Sequence, residues 1–255
     1  MEKTIIIIGL GQLGRVFAGG FLRAGFTVVP VNRDDDMDIA AARHPQPALV
    51  LVAVGEADLH TVLAALPPNW KTCIGLIQNE LLPRDWAQHG IANPTVIPVW
   101  FEKKKGSDAK PLIPSPVFGP ATDVVLSALK AIDIPCREIP SAQDLAYELV
   151  RKNVYILTTN IAGLRTGGNV GDLWQQRRDF AHSVAQEVIQ IQDWLTRQKN
   201  DPARLIEGMA EAIEADPAHM CTGRSAPARL ARALQHADEA KLAVPILREM
   251  QQIKA

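Results

Sequence analysis

Cysteine is scarce in this chain, and so are aromatic residues. The 255 residues include three cysteines and only 5% Phe, Trp and Tyr. Cys73, Cys136 and Cys221 are odd in number, far apart and never arranged as Cys-x-x-Cys. That argues against a disulfide framework or a zinc site and predicts buried free thiols in a reducing compartment, with no bound metal. Net charge is also missing, since 27 Lys plus Arg against 28 Asp plus Glu give −1. A general nucleic-acid binder needs a strongly basic surface, so no nucleic-acid partner is expected. No apolar run approaches the ~20 residues of a membrane span. The run Ile5-Ile6-Ile7-Ile8 is too short for a secretory core, follows Glu2 and Lys3, and leads into glycine. The expectation is a soluble, cytoplasmic protein with no membrane partner.

The composition is otherwise that of a folded protein, 47% hydrophobic and 22% charged. In the first half, short β-branched runs alternate with helical stretches. Strands are predicted at Thr4–Ile8, Thr27–Val31, Ala48–Val54, Thr72–Ile77 and Thr95–Trp100, where Pro98 suggests a strand end. Helices are predicted at Gln12–Ala24 and Ala57–Leu66. Two more strands, Leu112–Phe118 and Cys136–Ile139, flank a helix at Ala121–Ala131. Strands that are apolar throughout and separated by helices imply a mostly parallel sheet covered on both faces. After Ser141 the strand-like runs stop. Helical patterns follow at Ala142–Leu164, Asp172–Arg197, Pro202–Ala215, Ala226–Ala240 and from Val244. The reading is an α/β Rossmann domain, doubly wound, over 1–141, and an all-α domain over 142–255.

Gly9-Leu10-Gly11-Gln12-Leu13-Gly14 matches G-x-G-x-x-G directly after the four-isoleucine strand and opens an amphipathic helix. In that setting Gly9 allows the tight turn and Gly11 lets the backbone approach a pyrophosphate. Gly14 lets the helix pack closely on the strand, and the helix start offers free N–H groups. The second strand ends in Asn32-Arg33 with no acid at its last position. Asn32 can hydrogen-bond the ribose, and Arg33 can pair with a 2′-phosphate through its planar fork. NADP(H) is therefore favoured over NAD(H). The acidic run Asp34-Asp35-Asp36 can partly neutralise Arg33 or simply cap the next short stretch.

Lys152, Ile156 and Asn160 lie four apart early in the long helix of the second half, so Lys152 and Asn160 project from nearby sides. A lysine beside an amide suits a carbonyl compound, with one group giving a proton and the other fixing orientation. From spacing alone, a surface lysine beside a core-facing asparagine is as good a reading.

The chain resembles the ketopantoate reductase family, within the larger group that includes 6-phosphogluconate dehydrogenase and hydroxyisobutyrate dehydrogenase. The matches begin with GLGQLG, Arg33, Gln78-Asn79 and Phe118-Gly119-Pro120. They continue with Glu148-Leu149-Val150-Arg151-Lys152 plus Asn160, then Val170-Gly171-Asp172-Leu173 and Leu242-Ala243-Val244-Pro245. The resemblance implies that Lys152 is the general acid protonating a ketone as hydride arrives from the nicotinamide. It implies that Asn79 lies where cofactor and substrate meet, that Asn160 contacts a small carbonyl or hydroxy-acid substrate, and that a homodimer is possible. The chain departs from the family at Ile156, where a second asparagine is usual, and at Glu80, where glycine follows the asparagine. It departs again at Gly55-Glu56, which lacks a lysine, and at Gly223–Pro227, which lacks the substrate-binding glutamate. A related dehydrogenase with another substrate and a non-catalytic NADP(H) sensor are the alternatives. Among other candidates, Lys103-Lys104-Lys105 reads as a solvated loop. Arg224 beside His219-Met220-Cys221 reads as a substrate contact or a plain connection. Trp174, Phe180, Ile191 and Trp194 read as packing or dimer surface.

Overall fold

The computed structural model describes residues 3–252, so Glu2 lies outside the described residues. The chain forms two compact units that divide between Glu148 and Leu149, inside a helix.

In the first unit five parallel strands form a sheet in the order β2-β1-β3-β4-β5. They are β1 (Thr4–Ile8), β2 (Thr27–Val31), β3 (Leu49–Val52), β4 (Ile74–Leu76) and β5 (Thr95–Val96). Ile6 stands opposite Val29 on one side and Val50 on the other. Every residue of β1 and β3 is buried, as central strands covered on both faces require. β2 is the edge strand and tolerates Pro30, which has no N–H to give. The fifth strand is shorter than its sequence suggests. Ile97 still donates to the Leu76 carbonyl at 2.9 Å, and then Pro98 has no N–H with which to continue.

The helices of this unit are α1 (Gln12–Arg23), α2 (Met37–Arg43), α3 (Leu59–Ala64), α4 (Pro83–Ala87) and α5 (Thr122–Lys130). Two small pairs complete it: an antiparallel β6 (Phe101–Glu102) with β7 (Lys110–Pro111), and a parallel β8 (Ser115–Val117) with β9 (Cys136–Glu138). Phe17 and Phe21 of α1 pack with Ile5, Ile7, Leu49 and Leu51 of the sheet and with Val125 and Leu129 of α5. Burial of each such side chain contributes about 1.5–3 kcal/mol. α1 and α5 meet closely because Gly20 has no side chain; a Cβ there would lie 2.6 Å from the Ala128 carbonyl oxygen.

α6 (Ala142–Thr166) carries the chain into the second unit, which holds α7 (Val170–Gln176), α8 (Arg178–Thr196), α9 (Pro202–Ala215), α10 (Ala226–Ala240) and α11 (Pro245–Gln251). The expected helix over 172–197 is two helices. Arg177, with φ −135° and ψ 36°, breaks it, while the apolar periodicity continues on both sides. α8 packs against α7, α9, α10 and α11. Its buried Glu187 reaches α11, where the Ile246 N–H donates to Oε1 at 3.0 Å and the Leu247 N–H to Oε2 at 2.9 Å. Among the described residues no helix is long and apolar enough to cross a membrane.

Candidate active site

The first strand ends in a turn that only glycine serves well. Gly9 has φ +93°, and its N–H donates to the Val31 carbonyl at 2.9 Å. Gly14 sits directly beneath this turn, where a Cβ would lie 2.2 Å from the Gly9 carbonyl oxygen. Gly11 faces open space, with nothing within 4 Å of where its Cβ would be. It is the N-cap of α1 and brings no capping side chain, so the N–H groups of the first turn have no side-chain acceptor there. A cavity of about 490 Å³ opens at this point, over the carboxyl ends of β1, β2 and β3. Gly9, Gly11, Asn32, Arg33, Asp35, Gly55 and Asp58 are among its lining. A backbone cradle with free N–H groups and room for close approach can hold the pyrophosphate of a dinucleotide.

Of the other loop residues expected to bind cofactor, Leu10, Gln12, Leu13 and Gly14 do not line the cavity. Leu10 gives its carbonyl to Arg15 Nε at 3.1 Å, Leu13 packs on the core, and Gln12 is exposed. At the end of β2 the Asn32 N–H donates to Asp35 Oδ2 at 2.6 Å. Asp36 caps α2, accepting from the Asp38 and Ile39 N–H groups at 2.8 and 3.1 Å. The carboxylate that meets Arg33 lies elsewhere: its Nη2 stands 3.5 Å from Asp58 Oδ2.

Gln78 and Asn79 follow β4 and do different work. Gln78 is buried and ties strands together, its Nε2 donating to the Val52 carbonyl at 2.8 Å and the Val54 carbonyl at 3.2 Å. Asn79 is half-buried outside the glycine-loop cavity, and its Nδ2 donates to Glu56 Oε1 at 2.9 Å. Glu80 adopts φ +62°, a left-handed conformation that glycine enters without strain.

In the second unit α6 is anchored on either side of Lys152. Arg151 donates through Nε to the Gly208 carbonyl at 3.0 Å and pairs with Glu211 at 2.8 Å. Asn153 Nδ2 donates to Gln192 Oε1 at 3.0 Å. Lys152 itself is 5% exposed, which removes the surface-lysine reading. Asn160 lies two turns on along the same helix and is also buried. Its Nδ2 donates to the Cys221 carbonyl at 2.9 Å, and its Oδ1 accepts from Arg229 Nη1 at 2.6 Å. Gly163 lets the 221–222 segment press against α6; a Cβ there would lie 2.5 Å from Cys221 Cβ. Arg229 escaped the sequence reading, which looked to Arg224; Arg224 is exposed and Arg229 is buried. Its signal was faint but present, a lone arginine on the apolar stripe of α10 beside Leu230 and Ala233.

Burial pushes the Cys221 thiol up to about 11, with Asp172 adding to the shift, so it is no nucleophile at neutral pH. Lys103-Lys104-Lys105 lie between β6 and β7, where Lys104 pairs with Glu102 at 3.2 Å and Lys103 donates to the Ser107 carbonyl. Trp174 and Ile191 are buried in the second unit, whereas Trp194 is 36% exposed. No cluster of His, Cys, Asp and Glu among the described residues is arranged to hold a metal ion.

No protein-family model matches the chain, and no curated protein matches its sequence. Solved structures do match it. A 2-dehydropantoate 2-reductase from Methylococcus capsulatus superposes with a TM-score of 0.70 at 14% identity, covering 97% of this chain and 94% of that one. A dimeric ketopantoate reductase from Staphylococcus aureus gives 0.68 at 13% identity, covering 97% and 96%. A D-mandelate dehydrogenase in complex with NADH gives 0.65 at 11% identity, covering 98% and 97%. The chain therefore has the ketopantoate reductase fold over almost its whole length, a Rossmann unit followed by an all-α unit.

Proposed function

We propose that this chain is an NADP(H)-dependent oxidoreductase of the ketopantoate reductase kind, reducing a 2-keto acid or related carbonyl compound. The observation that carries the reading is the glycine cradle of 9–14 at the head of the parallel sheet, opening on a cavity of about 490 Å³. It is supported by the shared fold with reductases and with a dehydrogenase whose complex holds NADH.

Gly9, Gly11 and the first N–H groups of α1 would hold the pyrophosphate, with Leu10, Gln12, Leu13 and Gly14 shaping the loop. Asn32 and Arg33 would serve the adenosine ribose and its 2′-phosphate, and Asn79 the nicotinamide end. When bound, the nicotinamide supplies the hydride for the carbonyl carbon. Lys152 holds the proton at Nζ and gives it to the carbonyl oxygen, and such general acid catalysis contributes roughly 10²–10⁴-fold. Asn160, its amide fixed by Arg229 and Cys221, offers its second N–H to a substrate oxygen. Residues 142–255 would form the substrate-binding and dimer-forming part, by analogy with the dimeric neighbour. A cytoplasmic location agrees with the free cysteines. Ile156 between Lys152 and Asn160, together with Arg229 on Asn160, favours a substrate other than ketopantoate itself.

Lys152→Ala tests the proposal. NADPH affinity, read by nucleotide fluorescence, should stay within about twofold while turnover of every accepted keto acid falls by at least about a hundredfold. Tight NADPH binding by the native chain with no turnover across a broad keto-acid panel would leave a nucleotide sensor instead.

A further inference from the structure

We propose that Asp58 determines nucleotide specificity: it competes with a 2′-phosphate for Arg33 and keeps the preference for NADP(H) over NAD(H) small. This rests on the dinucleotide reading of the glycine-loop cavity. Arg33 is the one cationic residue among the residues lining that cavity, which also include two carboxylates, Asp35 and Asp58, leaving the lining at −1. The backbone N–H of Asn32 and the guanidinium of Arg33 at the end of β2 each meet a carboxylate of the chain. The Asn32 N–H donates to Asp35 Oδ2 at 2.6 Å, and Arg33 Nη2 lies 3.5 Å from Asp58 Oδ2.

Asp58 occupies the N-cap position of α3, where an aspartate ordinarily accepts from the helix N–H groups. Here its side chain makes no capping bond and lies within ion-pair reach of Arg33. The pair is open to water, with side chains 86% and 55% exposed, so it is weak enough for a phosphate to displace. Displacement does not remove the charge, however. A 2′-phosphate of about −1.5 to −2 taking Arg33 is left beside the released Asp58 carboxylate. A ribose 2′-hydroxyl meets no such repulsion and can donate to a carboxylate instead.

Titration of the native protein, Asp58→Asn, Arg33→Ala and the double variant with NADPH and with NADH tests this. The native protein should prefer NADPH by less than about tenfold, and Asp58→Asn should raise that preference about tenfold, mostly through tighter NADPH binding. Arg33→Ala should bring the preference near unity in both backgrounds. Asp58 is exposed, so its substitution leaves the core intact. If both nucleotides bind but Asp58→Asn leaves the preference unchanged or lowers it, the role of Asp58 is refuted while the dinucleotide site stands. If neither nucleotide binds the native protein, the site reading falls and takes this inference with it.

Discussion

Arg229 Nη1 donates to Asn160 Oδ1 at 2.6 Å, and this contact settles which way the Asn160 amide faces. A guanidinium has no acceptor, so the amide oxygen must point to it and the nitrogen to the Cys221 carbonyl, 2.9 Å away. Arg229 belongs to α10, Asn160 to α6 and Cys221 to the connection before α10. One asparagine therefore fastens three stretches of the helical unit, and any substrate contact it makes is preset by them.

Arg229→Met should loosen Asn160 while keeping most of the side-chain volume. A double-mutant cycle of Arg229→Met with Asn160→Ala, followed by denaturant unfolding, should give a coupling of about 1–3 kcal/mol. The single Arg229 variant should also lose turnover while binding NADPH normally. A coupling near zero would mean that the two side chains are neighbours without consequence.

The glycines of the nucleotide loop separate two kinds of damage. Gly14→Ala puts a methyl group 2.2 Å from the Gly9 carbonyl oxygen, which forces backbone movement and should cost about 1–3 kcal/mol of stability. Gly11→Ala meets nothing within 4 Å and its φ of −68° suits alanine, so the fold should be unaffected. Its Cβ would stand where the backbone must approach a phosphate, and NADPH affinity should fall by about tenfold or more. Thermal unfolding and nucleotide titration on the same samples distinguish the two.

Much of this was legible beforehand where the signal is local. β1 and β2 have the bounds their β-branched runs predict, and Gly9, Gly11 and Gly14 occupy the positions their spacing implies. α2 and α4 are too short for periodicity to show, and the break at Arg177 leaves the apolar spacing untouched. The charges were harder still. In the run Asp34-Asp35-Asp36 the capping role is the one the structure shows, at Asp36, whereas the carboxylate that meets Arg33 is Asp58, brought by the N-cap position of α3. Arg229 meets Asn160 across 69 positions of chain, a separation at which only the packing of α10 on its neighbours decides the contact.

The cap of α11 is another long-range device. Glu187 supplies both carboxylate oxygens to the Ile246 and Leu247 N–H groups while itself buried. Glu187→Ala should cost about 2–3 kcal/mol, because two charge-assisted bonds are lost at a positive helix end. Glu187→Gln keeps one acceptor and should recover about half. The urea midpoint measures both.

Alkaline pH should weaken the helical unit through Cys221. Its thiol is pushed up to about 11 by burial and by the Asp172 carboxylate, against an ordinary thiol value of 9.0. The folded state thus holds its proton to higher pH than the unfolded state. Stability from this group is complete below pH 9, falls as the unfolded thiol ionises, and is gone once pH rises past about 11. Cys221→Ala removes that dependence but leaves a small void, so it should be less stable at neutral pH and lose less on passing from pH 8 to 10.5. Urea unfolding at the two pH values gives the comparison, and equal losses in both proteins would show that Cys221 contributes nothing to alkaline unfolding.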